Sequence, residues 1–501
     1  MIIVGAYPDH VFTNSAKNNI PSLVNLRNAI NCILPSEISI HILPFYFSCG
    51  DGGFAISDWN SIDCQFGDWT KIKEIANERN VIIDGVFNHV GVEHEFVKLL
   101  KASPEKHSDL FHVNPCVEMD SPRGIDANCE FETVNGNIIV RKTHSKSAID
   151  INLESTEIQK HIKEFLRMIS NYGIFGVRLD AVAYYKKGSK IRHNEGSYDL
   201  ANRIVDIAKN AGMRVFAQID ADADGKKYFK EKDYNDVAIY DFGYSAALSL
   251  SIIEKTPCEL ATFLQINSDE NRPLIRAPRT HDGILLRSGN LKKNQVEKII
   301  SWANYLDVPV RKANDIPYEL NCSLPFLIKS VCPEYFEKML ETTIILTGIL
   351  NSIPYFYLPY LVGFIPEEQD KPFALPSRFE SDDPRTLNRI PFSSDHIHKS
   401  NFVRLRTFRV LEILTTIHKV YEAELIYGSS DISTVDNKLL RVITAKGAID
   451  GVFNFSQFEV RNPLCYNQNE YISYKSRAHD TMYIEPGGYS VLVKNKSMER
   501  R

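Results

Sequence analysis

Short apolar runs alternate with amphipathic stretches along most of this chain. The runs are MIIVGAY at 1–7, ISIHILPF at 38–45, VIIDGVF at 81–87, IFGVRLD at 174–180, MRVFAQI at 213–219, VAIYDF at 237–242, PLIRAPRT at 273–280 and SIPYFYL at 352–358. Each is short, bounded by polar or turn residues, and rich in β-branched and aromatic side chains, which predicts buried strands. Between them, DWTKIKEIANER at 68–79 and TEIQKHIKEFLRMISNYG at 156–173 carry apolar residues at helical spacing, the second closing on Gly173 in a C-cap position. Strands that alternate with covering helices form a parallel sheet, and eight of them suffice to close a (β/α)8 TIM barrel.

Two intervals are too long for simple loops. Roughly ninety residues separate the third and fourth runs, and the part at 91–150 is polar, irregular and rich in His, Asn and Ser, so it is read as an inserted subdomain. A second insertion is expected at 284–340, after the seventh run. The barrel then occupies 1–90, 151–283 and 341–424. From 425 to 501 the pattern changes to LLRVITAKG, AIDGVFNF, YISYK and GGYSVLVKN with Gly and Asn turns between them, which predicts a C-terminal antiparallel β domain.

Composition narrows the partners. The 501 residues carry a formal net charge of −5 with Lys and Arg spread along the chain, so neither nucleic acid nor a membrane is expected as a partner. The opening MIIVGAYP lacks a basic leader and reads as a strand, and the longest apolar stretch, TTIILTGILNSIPYFYL, is broken by Asn351 and Pro354. Nine cysteines without CxxC or Cys/His ligand spacing fit reduced thiols and a cytoplasmic location, with no structural metal.

In such a barrel the working residues sit where the strands end, because the loops that follow all face one mouth. Polar residues close five runs: Asp84 with Asn88 and His89, Arg178 with Asp180, Gln218, Asp241, and His281 with Asp282. A lone Asp after a strand is more often a helix N-cap or turn residue. Several at equivalent points weaken that reading.

The segments DGVFNHV, GVRLDAVAY and RTHDGI, in this order, resemble three of the regions that define the α-amylase (glycoside hydrolase family 13) barrels. HILPFYFSCGDGGF, FGDW, AIDINLES, AIYDF, IPYELN and RTLNRI narrow the resemblance to the sucrose phosphorylase-like branch, from the first strand to about residue 395. The resemblance implies retaining α-glucosyl transfer or phosphorolysis of sucrose or a related α-glucoside, in which two carboxyl groups about 5 Å apart share the work. It makes Asp180 the nucleophile and Asp282 the carboxylate that grips sugar hydroxyls and stabilises the transition state. Arg178, two residues before Asp180 and on the same strand face, orients and ionises it. Asp51, His89, His281 and Arg389 complete the glucose pocket, with Phe54 as an apolar wall. The implied partners are an α-glucoside or glucose 1-phosphate, with inorganic phosphate as co-substrate and no other cofactor; a homodimer is left open. Asn88 matches a calcium ligand of many α-amylases, yet this branch generally lacks the ion, so no metal is expected.

At the fifth strand the chain departs from the family. Its general acid/base is a Glu, and VFAQID puts Gln218 there. An amide matches Glu in size and donates a hydrogen bond, but has no proton to transfer and no basic oxygen to activate an acceptor. A positioned acid/base group contributes roughly 10²–10⁴-fold in rate, so donors whose leaving group needs a proton should turn over slowly. Asp220 is the neighbour that could substitute for the missing acid/base, facing the same side but ~6–7 Å further along a regular strand, and Asp222 and Asp224 read as solvent-facing loop acids. The Gln fits an engineered change or a natural one; a glucoside-binding pseudoenzyme of the same fold is the alternative. The acceptor half also departs: only Arg123 matches the family's phosphate-contacting arginines, and DINLES lacks the family's aromatic residue.

Overall fold

The computed structural model describes residues 1–13, 20–114, 126–229, 234–266, 272–286, 291–313, 316–366, 383–400, 406–464, 470–476 and 482–495. Eight parallel strands close a barrel: β1 (Ile3–Ala6), β2 (Ser39–Ile42), β3 (Val81–Gly85), β4 (Gly176–Leu179), β5 (Arg214–Asp220), β6 (Ala238–Tyr240), β7 (Leu274–Arg276) and β8 (Ile353–Tyr357). They follow one another around the barrel in chain order, β8 returning to β1. Each falls on one of the eight apolar runs, β5 alone reaching one residue beyond its run to Asp220, since only strands buried on both faces carry such continuous apolar sequence.

The covering helices show why their sequences fold locally. Trp69–Ala76 begins at Asp68, whose carboxylate accepts from the amides of Thr70 and Lys71. Thr156–Asn171 buries Ile158, Ile162, Phe165, Leu166 and Ile169 along one stripe. Gly173 follows it at φ +79°, the left-handed geometry that ends helices.

After β3, strand His89–Gly91 pairs antiparallel with Ala148–Asp150, bringing His89 opposite Asp150. The intervening chain adds a hairpin, Asn128–Thr133 with Gly136–Arg141. After β7 comes a small antiparallel sheet of Ile284–Leu285, Ile316–Leu320 and Val310–Ala313. Beyond the barrel, Asp431–Val435, Leu439–Thr444, Ile449–Asn454, Tyr489–Lys494 and Tyr471–Lys475 form a five-stranded antiparallel sheet. It approaches helix Phe336–Ile349 closely at Gly451, where a Cβ would meet Ile349 Cδ1 at 2.8 Å. Part of the apolar stretch broken by Asn351 and Pro354 is this helix and β8, and among the described residues no helix is long and apolar enough to cross a membrane.

Candidate active site

The strand ends meet at a cavity of about 250 Å³ lined by Asp180, Gln218 and Asp282, with Asp51, Phe54, His89 and His281 beside them. Its floor is a chain of buried charges. Arg178 on β4 stands in register with Asp84 on β3, so the guanidinium and carboxylate meet across the two strands. The same Nη1 reaches Asp180 Oδ1 at 3.1 Å. His41 on β2 holds the other Asp84 oxygen at 3.0 Å and contacts the Tyr355 hydroxyl at 3.2 Å. Burial alone would push the Asp84 carboxyl up; Arg178 and His41 outweigh it and hold it below the usual carboxylate range. Burial opposes the charge on Arg178 too, but Asp84 and its other neighbours keep the guanidinium charged well beyond its ordinary range. Asp180 therefore faces the cavity beside a fixed positive charge.

Asp282 is gripped from the far side. Arg389 Nη2 lies 3.1 Å and Arg385 Nη1 3.4 Å from its Oδ1, and His281 Nε2 lies 3.4 Å from Oδ2. His281 stacks on Phe54 with ring centroids 5.3 Å apart, and Arg389 lies over the Phe54 and Tyr7 rings. Burial lowers the His281 imidazole to about 3, so it is neutral at physiological pH. His89 is buried, with His144 5.4 Å away between ring centroids. Asp51, held at φ +51° in the turn Asp51–Gly53, receives Arg385 Nη2 at 2.7 Å.

Gln218 fits this frame as a hydrogen-bonded amide. Its Oε1 accepts from the backbone N–H of Ala181 at 2.9 Å, tying β5 to the residue after Asp180. Ala181 itself takes the left-handed conformation, φ +52°, turning the chain sharply behind Asp180. Such a turn costs a non-glycine residue roughly 1–2 kcal/mol.

Asp51, Phe54, His89, Arg178, Asp180, Gln218, His281, Asp282 and Arg389 are thus brought together from strand ends and turns, whereas Arg123 lies outside the described residues. Asp241 does not join them: it is buried against Arg276 Nε at 2.9 Å. Two expectations are corrected. Asp222 is no solvent-facing acid; it is 7% exposed and its Oδ1 accepts from the Asp224 and Gly225 amides, closing a tight turn, while Asp224 is exposed as expected. Nor does β5 run regularly to Asp220. Pairing with β6 steps from Ala217 opposite Ile239 directly to Asp220 opposite Tyr240, so a bulge absorbs Gln218 and Ile219.

Three residues escaped the sequence reading. Arg385, fully buried between Asp51, Asp282 and Asp383, lies four positions before Arg389 in the turn Pro384–Arg389. Its signal was its place as the first residue of RTLNRI, the segment from which only Arg389 was taken. Arg192 reaches the cavity from the loop after β4, with its Nη2 3.5 Å from Asp222. Lys187, from the same loop, puts its buried ammonium 2.8 Å from Asn88 Oδ1 and 3.0 Å from Asp150 Oδ2. A divalent cation at Asn88 would meet that ammonium as a like charge in a buried place, so these residues do not fit a calcium ion.

Known proteins share sequence and fold with this chain. Residues 36–230 match the alpha-amylase catalytic domain. A glucosylglycerate phosphorylase from Allomeiothermus silvanus is 25% identical over 402 residues, 72% of this chain and 67% of that protein. A sucrose phosphorylase from Streptococcus mutans is 23% identical over 389 residues, 72% of this chain and 77% of its own length. Among solved structures, sucrose 6F-phosphate phosphorylase from Thermoanaerobacter thermosaccharolyticum superposes with a TM-score of 0.72 at 19% identity, covering 90% of this chain and 95% of that one.

Proposed function

We propose that this chain, whose residues 36–230 match the alpha-amylase catalytic domain, is an enzyme that moves an α-glucosyl unit from a glucoside, or from glucose 1-phosphate, through a covalent intermediate on Asp180. The observation that carries this reading is the convergence of Asp180, Asp282 and the Phe54–His281 wall on one cavity, with Arg178 fixing the nucleophile. Asp180 attacks the anomeric carbon as the bond to the leaving oxygen breaks. Asp282, aligned by Arg385 and Arg389, accepts sugar hydroxyls and stabilises the positive charge that develops on the ring. Phe54 and His281 offer an apolar face to the pyranose, and the neutral imidazole donates or accepts without adding charge. Phosphate then attacks the intermediate from the side the leaving group vacated, giving α-glucose 1-phosphate. The relatives' names support phosphate as acceptor, and sucrose or glucosylglycerate as the donors to try first.

Gln218 separates this chain from a simple phosphorylase. The amide positions a donor but transfers no proton, so the reading predicts efficient use of α-glucosyl fluoride, whose fluoride leaves without one. Incubation with α-glucosyl fluoride and phosphate should release glucose 1-phosphate. No product, either from the chain as written or after Gln218→Glu, would overturn the proposal. The missing carboxylate favours one other reading, a glucoside-binding protein without turnover. It predicts calorimetric affinity for glucosides, with neither fluoride release nor a gain of activity in Gln218→Glu.

A further inference from the structure

The bulge in β5 changes which side chain stands at the height of the missing carboxylate. In a regular strand, residue 218 would follow Ala217 by one step of ~3.3 Å and residue 220 by three. Here Asp220 takes the register position opposite Tyr240, one step beyond Ile239, the partner of Ala217. Gln218, Ile219 and Asp220 all line the cavity, where strict alternation would turn the middle one away. The chain beyond holds the bulge in place. Ala221 donates its N–H to the Tyr240 carbonyl at 2.8 Å, and Gly225 passes so close that a Cβ there would collide with the Asp220 carbonyl oxygen.

We propose that Asp220 is the proton donor and acceptor of this site, occupying from a bulged strand the role that Gln218 cannot fill. The inference rests on the glucosyl-transfer reading and supplies the step that reading lacks. Asp220 Oδ1 accepts from the Phe242 N–H at 3.2 Å, which fixes the carboxyl plane and leaves Oδ2 as the oxygen available to carry the proton. The side chain is nearly buried, and the charged groups facing it are Asp222 beyond it on the same segment, Asp241 on the neighbouring strand end and Arg192 from the loop after β4. Burial first, then the two aspartates, raise the Asp220 carboxyl to about 7 against a smaller opposing pull from Arg192. A carboxylic acid that keeps its proton to neutral pH meets the need of a general acid.

Asp180 forms a bond to the anomeric carbon, the bond from that carbon to the leaving oxygen breaks, and the Asp220 proton passes to that oxygen. The products are the free alcohol, β-glucosyl-Asp180 and an Asp220 carboxylate. In the second half phosphate attacks the anomeric carbon, Asp220 takes back the acidic proton of that phosphate, and the bond to Asp180 breaks to release α-glucose 1-phosphate.

The test compares the full chain with Asp220→Asn on three donors in phosphate buffer: α-glucosyl fluoride, 4-nitrophenyl α-glucoside and phenyl α-glucoside. Fluoride and 4-nitrophenolate leave with little help, whereas phenolate needs a proton. The expected result is a loss of roughly 10²–10⁴-fold on the phenyl glucoside, with release of fluoride and 4-nitrophenolate changed only a few-fold. The wild-type phenyl-glucoside rate should fall as pH rises through about 7, the value to which Asp220 is raised, and that limb should vanish in Asp220→Asn. Azide added to Asp220→Ala should restore rate and yield α-glucosyl azide. Equal losses on all three donors, an unchanged phenyl rate, or a wild-type chain active only on the fluoride would overturn the inference while leaving glucosyl transfer standing. A wild-type chain inert even toward the fluoride would overturn both.

Discussion

The two halves of the cavity are built on different physics. The half assigned to the glucosyl unit is set by buried ion pairs between strand ends: Arg178 with Asp84 and Asp180, and Arg385 and Arg389 with Asp282. The other half is set by a strand bulge and by loops, with Asp220, Phe242, Arg192, Tyr184 and Tyr318 exposed to the cavity. In the first half each charge has a partner within contact distance, and the Arg178–Asp84 pair is set by the β3–β4 register. In the second, Asp220 faces two other acids and an arginine whose opposing pull is smaller, and its carboxyl is raised to about 7.

The largest effect should come from breaking the rigid half at its centre. Asp180→Asn should abolish release from every donor, including the fluoride, by on the order of 10⁴-fold or more, with thermal unfolding still cooperative. Retained fluoride release would remove Asp180 from the chemistry. Next in size is a loss of stability: Lys187→Ala leaves Asp150 buried without its ammonium and should cost about 3–5 kcal/mol in denaturant unfolding. A cost below about 1 kcal/mol would mean that Asp150 is satisfied without it.

The halves should also answer pH in opposite senses. His281 in the rigid half is held neutral to about 3, while the unfolded chain protonates histidine near 6.5. Below 6.5 the unfolded state therefore binds the extra proton, and stability is lost as pH falls toward 3, by up to about 1.4 kcal/mol per pH unit for this residue. Asp220 works the other way. Its raised folded value means that its contribution is fully present below the unfolded value of 3.8 and is lost as pH rises through about 7. Asp220→Asn should accordingly raise the melting temperature relative to wild type at pH 8 and leave it nearly unchanged at pH 3.5; equal shifts at both would remove the linkage. The smallest effect expected is kinetic. Arg192→Ala removes the positive charge that opposes the raised Asp220 value, so the alkaline limb on phenyl α-glucoside should move to higher pH, by a fraction of a unit for a partly exposed charge. A limb that moves down, or stays fixed, would detach Arg192 from that carboxyl.

What could be read from sequence divides along the same line. The eight barrel strands were legible because strands buried on both faces must be apolar throughout, and the ends of those strands gave Asp180, Gln218 and Asp282. Arg178 and Asp84 were legible as strand-end charges, though their pairing depends on a β3–β4 register that no local pattern encodes. The bulge was not legible, because VFAQID alternates acceptably as a regular strand, and only the partner strand shows that two residues are extra. For the same reason Asp222 was mistaken for a surface acid: its burial comes from a turn that its own carboxylate closes. Lys187 was hidden because a lysine in a basic loop normally points to water, and the acid and amide that draw it inward lie far away in sequence.

Glucosyl transfer by this chain turns on the covalent step at Asp180. Brief reaction with 5-fluoro-α-glucosyl fluoride, followed by rapid quench, proteolysis and mass spectrometry, should find a single 5-fluoroglucosyl adduct on the peptide that contains Asp180, formed also in Asp220→Asn and absent in Asp180→Asn. No adduct, or an adduct on any other carboxylate of the cavity, would contradict it.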